Sequence, residues 1–427
     1  MLKAVSLSSP MHQGDINLYT DNKTYLNGAG VTALGFWMSW ASVQPTTAPT
    51  SICDSFTALS TAPGNPTMWS RLDKEIKAAN DNGKVVYLTF YPAFPSWARH
   101  TYPDTPANRA EHQDKDVARY PASRDSNSPW AWFVQYVASR YSAGAPLNPT
   151  GPRPPGTGEA NTTFLGNPLG AKLDWIQPLN EPNYMWWPQK TPGAAGNDIG
   201  CIAAEMMKSA VTAVAGARSV GLSYGCTAPG LLAPGTADSV GTDGVSYTDA
   251  VGFTSTFSLQ FQNYAWPSGV NVAWSHHNYV DVKHPPASGP LIVDQVRTQL
   301  ITNGWPNTGI YLTEGGYVFK MDMIIIPVPQ PFDPQHPGGV YWQYADIPPL
   351  SFAQQEADQA SKVAANFWAC KLRSAVTTQP VKMWTQYLLN DDPLTKSRWQ
   401  SSLRGDWYQG APNPNPHPIY NSFGALS

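Results

Sequence analysis

Two glutamates stand out by their surroundings. Glu181 lies in WIQPLNEPNYMWW, residues 175–187, where an apolar run meets Asn180-Glu181-Pro182 and passes straight into Tyr184, Trp186 and Trp187. Glu314 lies in IYLTEGGY, residues 310–317, again where an apolar run stops. Two carboxylates flanking one cavity are what glycosidic bond cleavage needs. One, protonated, assists departure of the sugar oxygen, and the other, ionised, attacks the sugar or activates water. A single glutamate in a loop is ordinarily just solvated, so the pair has meaning only if the fold brings both to one place.

The elements that would do so are legible as alternation. Short β-rich runs occur at 2–9, 31–38, 84–91, 172–179, 218–225, 270–277, 308–315 and 380–387, with helical segments at 67–83, 128–142, 198–217, 289–304 and 351–376. Parallel strands need crossovers of a dozen residues or more, and helices then cover the sheet. The pattern predicts an α/β fold, a (β/α)8 TIM barrel in one domain over 1–427, with long βα loops at the C-terminal face. A doubly wound open sheet fits less well, because no glycine-rich phosphate loop follows the first strand. The Pro/Gly-rich stretches 145–164 and 324–349 read as such loops rather than interdomain linkers. On a barrel of this kind, the ends of the fourth and seventh strands place Glu181 and Glu314 over a shared cavity.

With NEP closing one run, TEG closing another and SHHNY at 275–279 closing a third, the chain resembles the retaining glycoside hydrolases of clan A, with similarities to families five and thirty-nine. The resemblance implies that Glu181 is the acid/base and Glu314 the nucleophile, some 5–5.5 Å apart, roughly as double displacement requires. It further implies that Asn180 binds the sugar 2-hydroxyl, that His277 lines the cleft and that Tyr279 sets its hydroxyl beside the nucleophile. Trp384 matches the tryptophan that floors the sugar site, and FPSWA at 94–98 places Trp97 at the rim. Trp40, Trp186 and Trp187 are further stacking candidates, and His276 reads as a packed core residue. One departure is visible: family five carries an arginine on its second strand, whereas VTALGFWMSW has Gly35 and no arginine.

Composition narrows the partners. A net charge of -3, with 13% charged residues, gives no electrostatic footprint for nucleic acid or an anionic membrane, while 17 Trp and 20 Tyr suit a protein that stacks on sugar rings. The expected partner is a carbohydrate, with no cofactor and no metal, and no run is expected to approach the ~20 apolar residues that span a bilayer. Oligomeric state is left open. Low charge with abundant Pro, Gly, Ser and Thr fits a secreted enzyme whose leader is absent and whose Met1 was added. Cys201 and Cys226, read as lying on neighbouring units, are expected to form a disulfide. Other readings are a catalytically silent carbohydrate-binding barrel, a transglycosylase on the same scaffold, or a metal-dependent hydrolase using His276 and His277.

Overall fold

The computed structural model describes residues 1–7, 19–44, 47–99, 120–145, 166–184, 187, 199–222, 225–238, 248–262, 264–283, 291–316, 326–327, 342–343, 352–375, 377–387 and 418–426. The strands are β1 (Leu2–Ser6), β2 (Ala33–Ser39), β3 (Val85–Tyr91), β4 (Trp175–Gln177), β5 (Gly230–Thr236), β6 (Val272–His277), β7 (Ile310–Glu314) and β8 (Val381–Tyr387). Each is followed by a helix: α1 (Tyr19–Gly28), α2 (Asn65–Asp81), α3 (Pro129–Arg140), α4 (Ile199–Leu222), α5 (Ala250–Phe261), α6 (Ile292–Thr302), α7 (Phe352–Ser374) and α8 (Pro418–Ala425). All eight strands run parallel and the sheet closes on itself, β1 pairing with β8 from Leu2↔Met383 to Ser6↔Tyr387. This is a (β/α)8 barrel. An antiparallel pair, Ile326–Pro327 with Trp342–Gln343, lies within the stretch after β7; otherwise the loops expected at 145–164 and 324–349 fall almost wholly outside the described residues.

The fifth strand corrects the sequence reading. RSVGLSYG does not form it: α4 runs on to Leu222, and β5 is the next apolar run, Gly230–Thr236. The alanines and valines before Ser219 continue the helix, whereas the strand follows the turn at Gly225, whose φ of 70° breaks it. The expected disulfide fails for the same reason. Cys201 and Cys226 stand at opposite ends of one helix, about 30 Å apart at 1.5 Å per residue, and no bridge joins them. A second correction concerns length. α4 is 24 residues long and by length and composition apolar enough to cross a membrane, yet 67% of its apolar 18-residue window is buried inside the fold.

Two cores are built by strand alternation. Outward residues such as Leu34, Phe36, Val86, Leu88, Trp274 and Leu312 meet the helices. Inward ones, Ala4, Ala33, Tyr87, Leu232, Ala273 and Met383, fill the barrel, with Trp175 and Tyr311 in contact at 4.9 Å. Large inward rings demand small neighbours. A Cβ on Gly35 would lie 2.3 Å from the Tyr87 ring, and one on Gly230 2.5 Å from Trp175. The arginine missing from the second strand thus has a physical counterpart: the space over Gly35 is filled by a tyrosine from β3.

The ends of the chain are tied together. The buried Lys3 ammonium donates to the carbonyls of Gly424 (3.2 Å) and Leu426 (2.8 Å) and lies 5.0 Å from the Phe423 ring, pinning α8 against β1. Between α2 and α3, Arg140 makes a two-pronged contact to Asp73 (3.1 and 2.6 Å), which also accepts from the Tyr141 hydroxyl at 2.9 Å.

Candidate active site

At the C-terminal ends of the strands, β4 stops at Gln177 and the chain continues to Asn180 and Glu181 beside β5. Asn180 bridges to Gly235, and the Glu181 N–H donates to the Gly235 carbonyl at 2.7 Å. Glu181 takes a φ of 45°, the one positive φ on a non-glycine residue among the described residues. Such conformations persist where the surroundings hold them. The Trp187 indole donates to the Asn180 carbonyl at 2.8 Å, and Gln177 Nε2 donates to Asn180 Oδ1 at 3.1 Å, so both faces of this segment are fixed.

Glu314 reaches the site through an irregularity. Pairing between β6 and β7 runs His276↔Leu312 and then shifts to His277↔Glu314. A shift of this kind re-aims a side chain, and it brings Glu314 beside the inward-facing His277. Below it, the Tyr87 hydroxyl crosses the barrel and donates to the Thr313 carbonyl at 2.8 Å.

His277 connects the two carboxylates. Its Nδ1 lies 2.9 Å from Glu181 Oε1 and its Nε2 3.4 Å from Glu314 Oε1, while the Tyr279 hydroxyl donates to Glu314 Oε2 at 3.1 Å. One ligand-type atom from each of Glu181, His277 and Glu314 lies within 4.8 Å of the others, so these are also the described residues that could hold a cation. Burial pushes the Glu314 carboxyl up to about 8, with His277 opposing and Glu181 adding to the rise. For His277, burial disfavours the charge but Glu314 and Glu181 outweigh it, and its pKa is raised. Burial and then the Glu314 charge hold the Tyr279 hydroxyl well above its ordinary value.

The residues named from sequence divide accordingly. Glu181, Glu314, Asn180, His277 and Tyr279 come together. Trp384 does not join them. Its parity on β8 points it outward, where it packs on Phe367 and Phe423 and donates to Asn366 at 2.8 Å. Trp40 is buried against Phe133, Trp130 and Trp97, with its N–H on Gln44. Trp97 is half-buried on the edge of Trp40, and Trp187 is buried against Phe94. Trp40 and Trp187, each 1% exposed, are packing rings with no face left for a ligand. Trp186 lies outside the described residues. His276 faces away from His277, bonded to Thr236 at 2.8 Å and pushed down to about 3 by burial, so the two histidines cannot share a metal.

Other aromatics take the mouth: Trp37 on β2, Tyr91 at the end of β3 and Tyr387 at the end of β8. Trp37 lies 5.9 Å from Tyr91 and 6.1 Å from Tyr387, which lies 6.2 Å from Tyr279. Counting by twos from Gly35 or Tyr87 would have found Trp37 and Tyr91.

No protein-family model matches the chain, and neither does any curated protein. Solved structures similar to it include a glucosidase from Croceicoccus marinus, 13% identical, covering 99% of this chain and 70% of that one at a TM-score of 0.48. The β-glucosidase from Thermotoga maritima in complex with glucoimidazole is 11% identical, covering 100% and 98% at 0.48. A GH5_18 protein from Bifidobacterium longum in complex with Manβ1-4GlcNAc is 11% identical, covering 99% and 77% at 0.46. The likeness is to glycosidases and is one of overall fold, so function is argued below from the site's own geometry.

Proposed function

We propose that the protein is a retaining glycosidase that cleaves O-glycosidic bonds of a neutral glycan, with Glu314 as nucleophile and Glu181 as acid/base. The observation that carries this reading is the pair of carboxylates at the barrel mouth, with oxygens within 4.8 Å and one imidazole between them. That approach of the nearest oxygens is compatible with the about 5–5.5 Å carboxyl separation of a retaining pair.

The three groups hold their protons jointly. With His277 charged, its Nδ1–H faces ionised Glu181. Passing that proton along the 2.9 Å contact leaves Glu181 protonated and His277 neutral, its remaining Nε2–H toward ionised Glu314. Glu314 then attacks the anomeric carbon as Glu181 gives its proton to the leaving oxygen, forming a covalent glycosyl-enzyme. Glu181, now ionised, takes a proton from water, which attacks the anomeric carbon and releases Glu314. Tyr279 donates to Glu314 Oε2 and holds the carboxylate in line. Asn180, oriented by Gln177, is placed to meet a substrate hydroxyl. Action outside the cell is part of this proposal and rests on composition; fractionation of the native source tests it.

Proton NMR of the first-formed sugar tests the mechanism, the expected product keeping its anomeric configuration. Glu314→Gly with azide and an activated glycoside should give the inverted glycosyl azide, and Glu181→Ala the retained one. The same azide anomer from both variants, or an inverted sugar from the parent, overturns the role assignment.

A further inference from the structure

The aromatic residues that reach the mouth raise a question of what they bind. Trp37, Tyr91 and Tyr387 come from three different strands, and their rings form one continuous wall that ends on Tyr279 beside Glu314. Tyr91 is 46% exposed and Trp37 half-buried, in a barrel whose other large rings are mostly interior. Tyr91 ends β3, and β3 pairs with β4, from which the chain runs on to Glu181; burial and then the Glu181 charge raise the Tyr91 hydroxyl. The wall therefore spans both carboxylates.

Its chemistry is specific. The Trp37 indole N–H is already spent on Ser6 Oγ at 2.9 Å, which fixes the ring and leaves Trp37 with surface to offer and no donor. Such a surface recognises C–H groups, because the negative face of the ring attracts their partial positive charge. The described strand-end residues, Ser6, Ser39, Tyr91, Asn180, Glu181, Thr236, His277, Glu314 and Tyr387, bring no arginine or lysine to balance an acidic sugar. A pyranose whose hydroxyls are all equatorial carries unbroken axial C–H groups on each face, whereas an axial hydroxyl interrupts one.

We propose that Trp37, flanked by Tyr91 and Tyr387, is the stacking platform for the sugar at this site, and that the sugar is a neutral pyranose with equatorial hydroxyls, of gluco or xylo configuration. The proposal rests on the carbohydrate reading of the site but not on catalysis.

Binding of cellotriose, xylotriose and β-1,4-mannotriose to the full chain carrying Glu314→Gln, followed by calorimetry and tryptophan fluorescence, tests it without turnover. Cellotriose or xylotriose should bind about tenfold tighter than mannotriose. Adding Trp37→Leu should weaken that binding by about tenfold or more, while Trp37→Phe, which keeps a flat face, should cost about threefold or less. Circular dichroism and thermal melting confirm that both variants fold. Equal binding with Trp37→Leu, a preference for mannotriose, or no binding of any trisaccharide overturns the proposal. Trp37-dependent binding in a protein that hydrolyses none of them leaves the platform standing and removes the glycosidase.

Discussion

Glu314 carries the least ordinary electrostatics of the site. Its carboxyl is raised to about 8 by burial, which is opposed by His277 and reinforced by Glu181. Double displacement requires it ionised, and kcat/KM reports the unliganded enzyme. The acid limb of a kcat/KM profile is therefore expected near neutrality instead of in the ordinary carboxylate range. A limb near about pH 4 would show that Glu314 is not held up. The same shift has a stability consequence. A carboxyl whose pKa is higher folded than unfolded contributes stability that is complete below the unfolded pKa and lost as pH rises through the folded one. Glu314→Gln, neutral at every pH, should therefore melt higher than the parent at about pH 9, with the gap closing toward about pH 5. Melting curves that stay parallel across this range would contradict it.

The elements position these residues by complementarity between neighbours. Tyr87 on β3 lies over Gly35 on β2 and reaches Thr313 on β7, so three strands meet at one ring directly beneath Glu314. Gly35→Ala forces a methyl within 2.3 Å of that ring. Overpacking of this kind costs about 1–3 kcal/mol. Urea denaturation should show this loss, and it should shrink when Tyr87→Ala is added, because the clash goes with the ring. Additive losses would mean that the two residues do not oppose each other. Tyr87→Phe keeps the volume and removes the hydroxyl with its bonds to the Thr313 carbonyl (2.8 Å) and Thr385 Oγ1 (3.4 Å), so it should lower kcat more than it alters stability.

At the scale of the whole molecule, closure depends on packing the helical ring as much as on the sheet. The Asp73–Arg140 pair joins α2 to α3 in the interior, and Tyr141 completes its hydrogen bonding. Asp73→Ala removes the carboxylate partner of a buried guanidinium, which costs about 3–5 kcal/mol. Denaturant midpoints should fall accordingly without a change in the site's pH profile. A loss of under about 1 kcal/mol would place the pair among screened surface bridges.

Much of this architecture is written locally. Hydrophobic period and strand-helix alternation determine the barrel, because a parallel strand cannot be reached without a crossover. Glu181 and Glu314 were legible because each follows an apolar run directly. The fifth strand was not, because the end of a buried helix and a short apolar strand look alike along the chain. Its misplacement carried Cys226 with it. Which aromatics face the mouth follows from parity along each strand, once tertiary structure has set which parity points inward. Trp384 and Tyr387 are three residues apart on one strand and therefore point to opposite sides, and composition does not record parity. Only the register shift between β6 and β7 turns Glu314 toward His277. Only the fold shows that one imidazole lies between both carboxylates, because residues 181, 277 and 314 become neighbours through barrel closure and through nothing in their spacing.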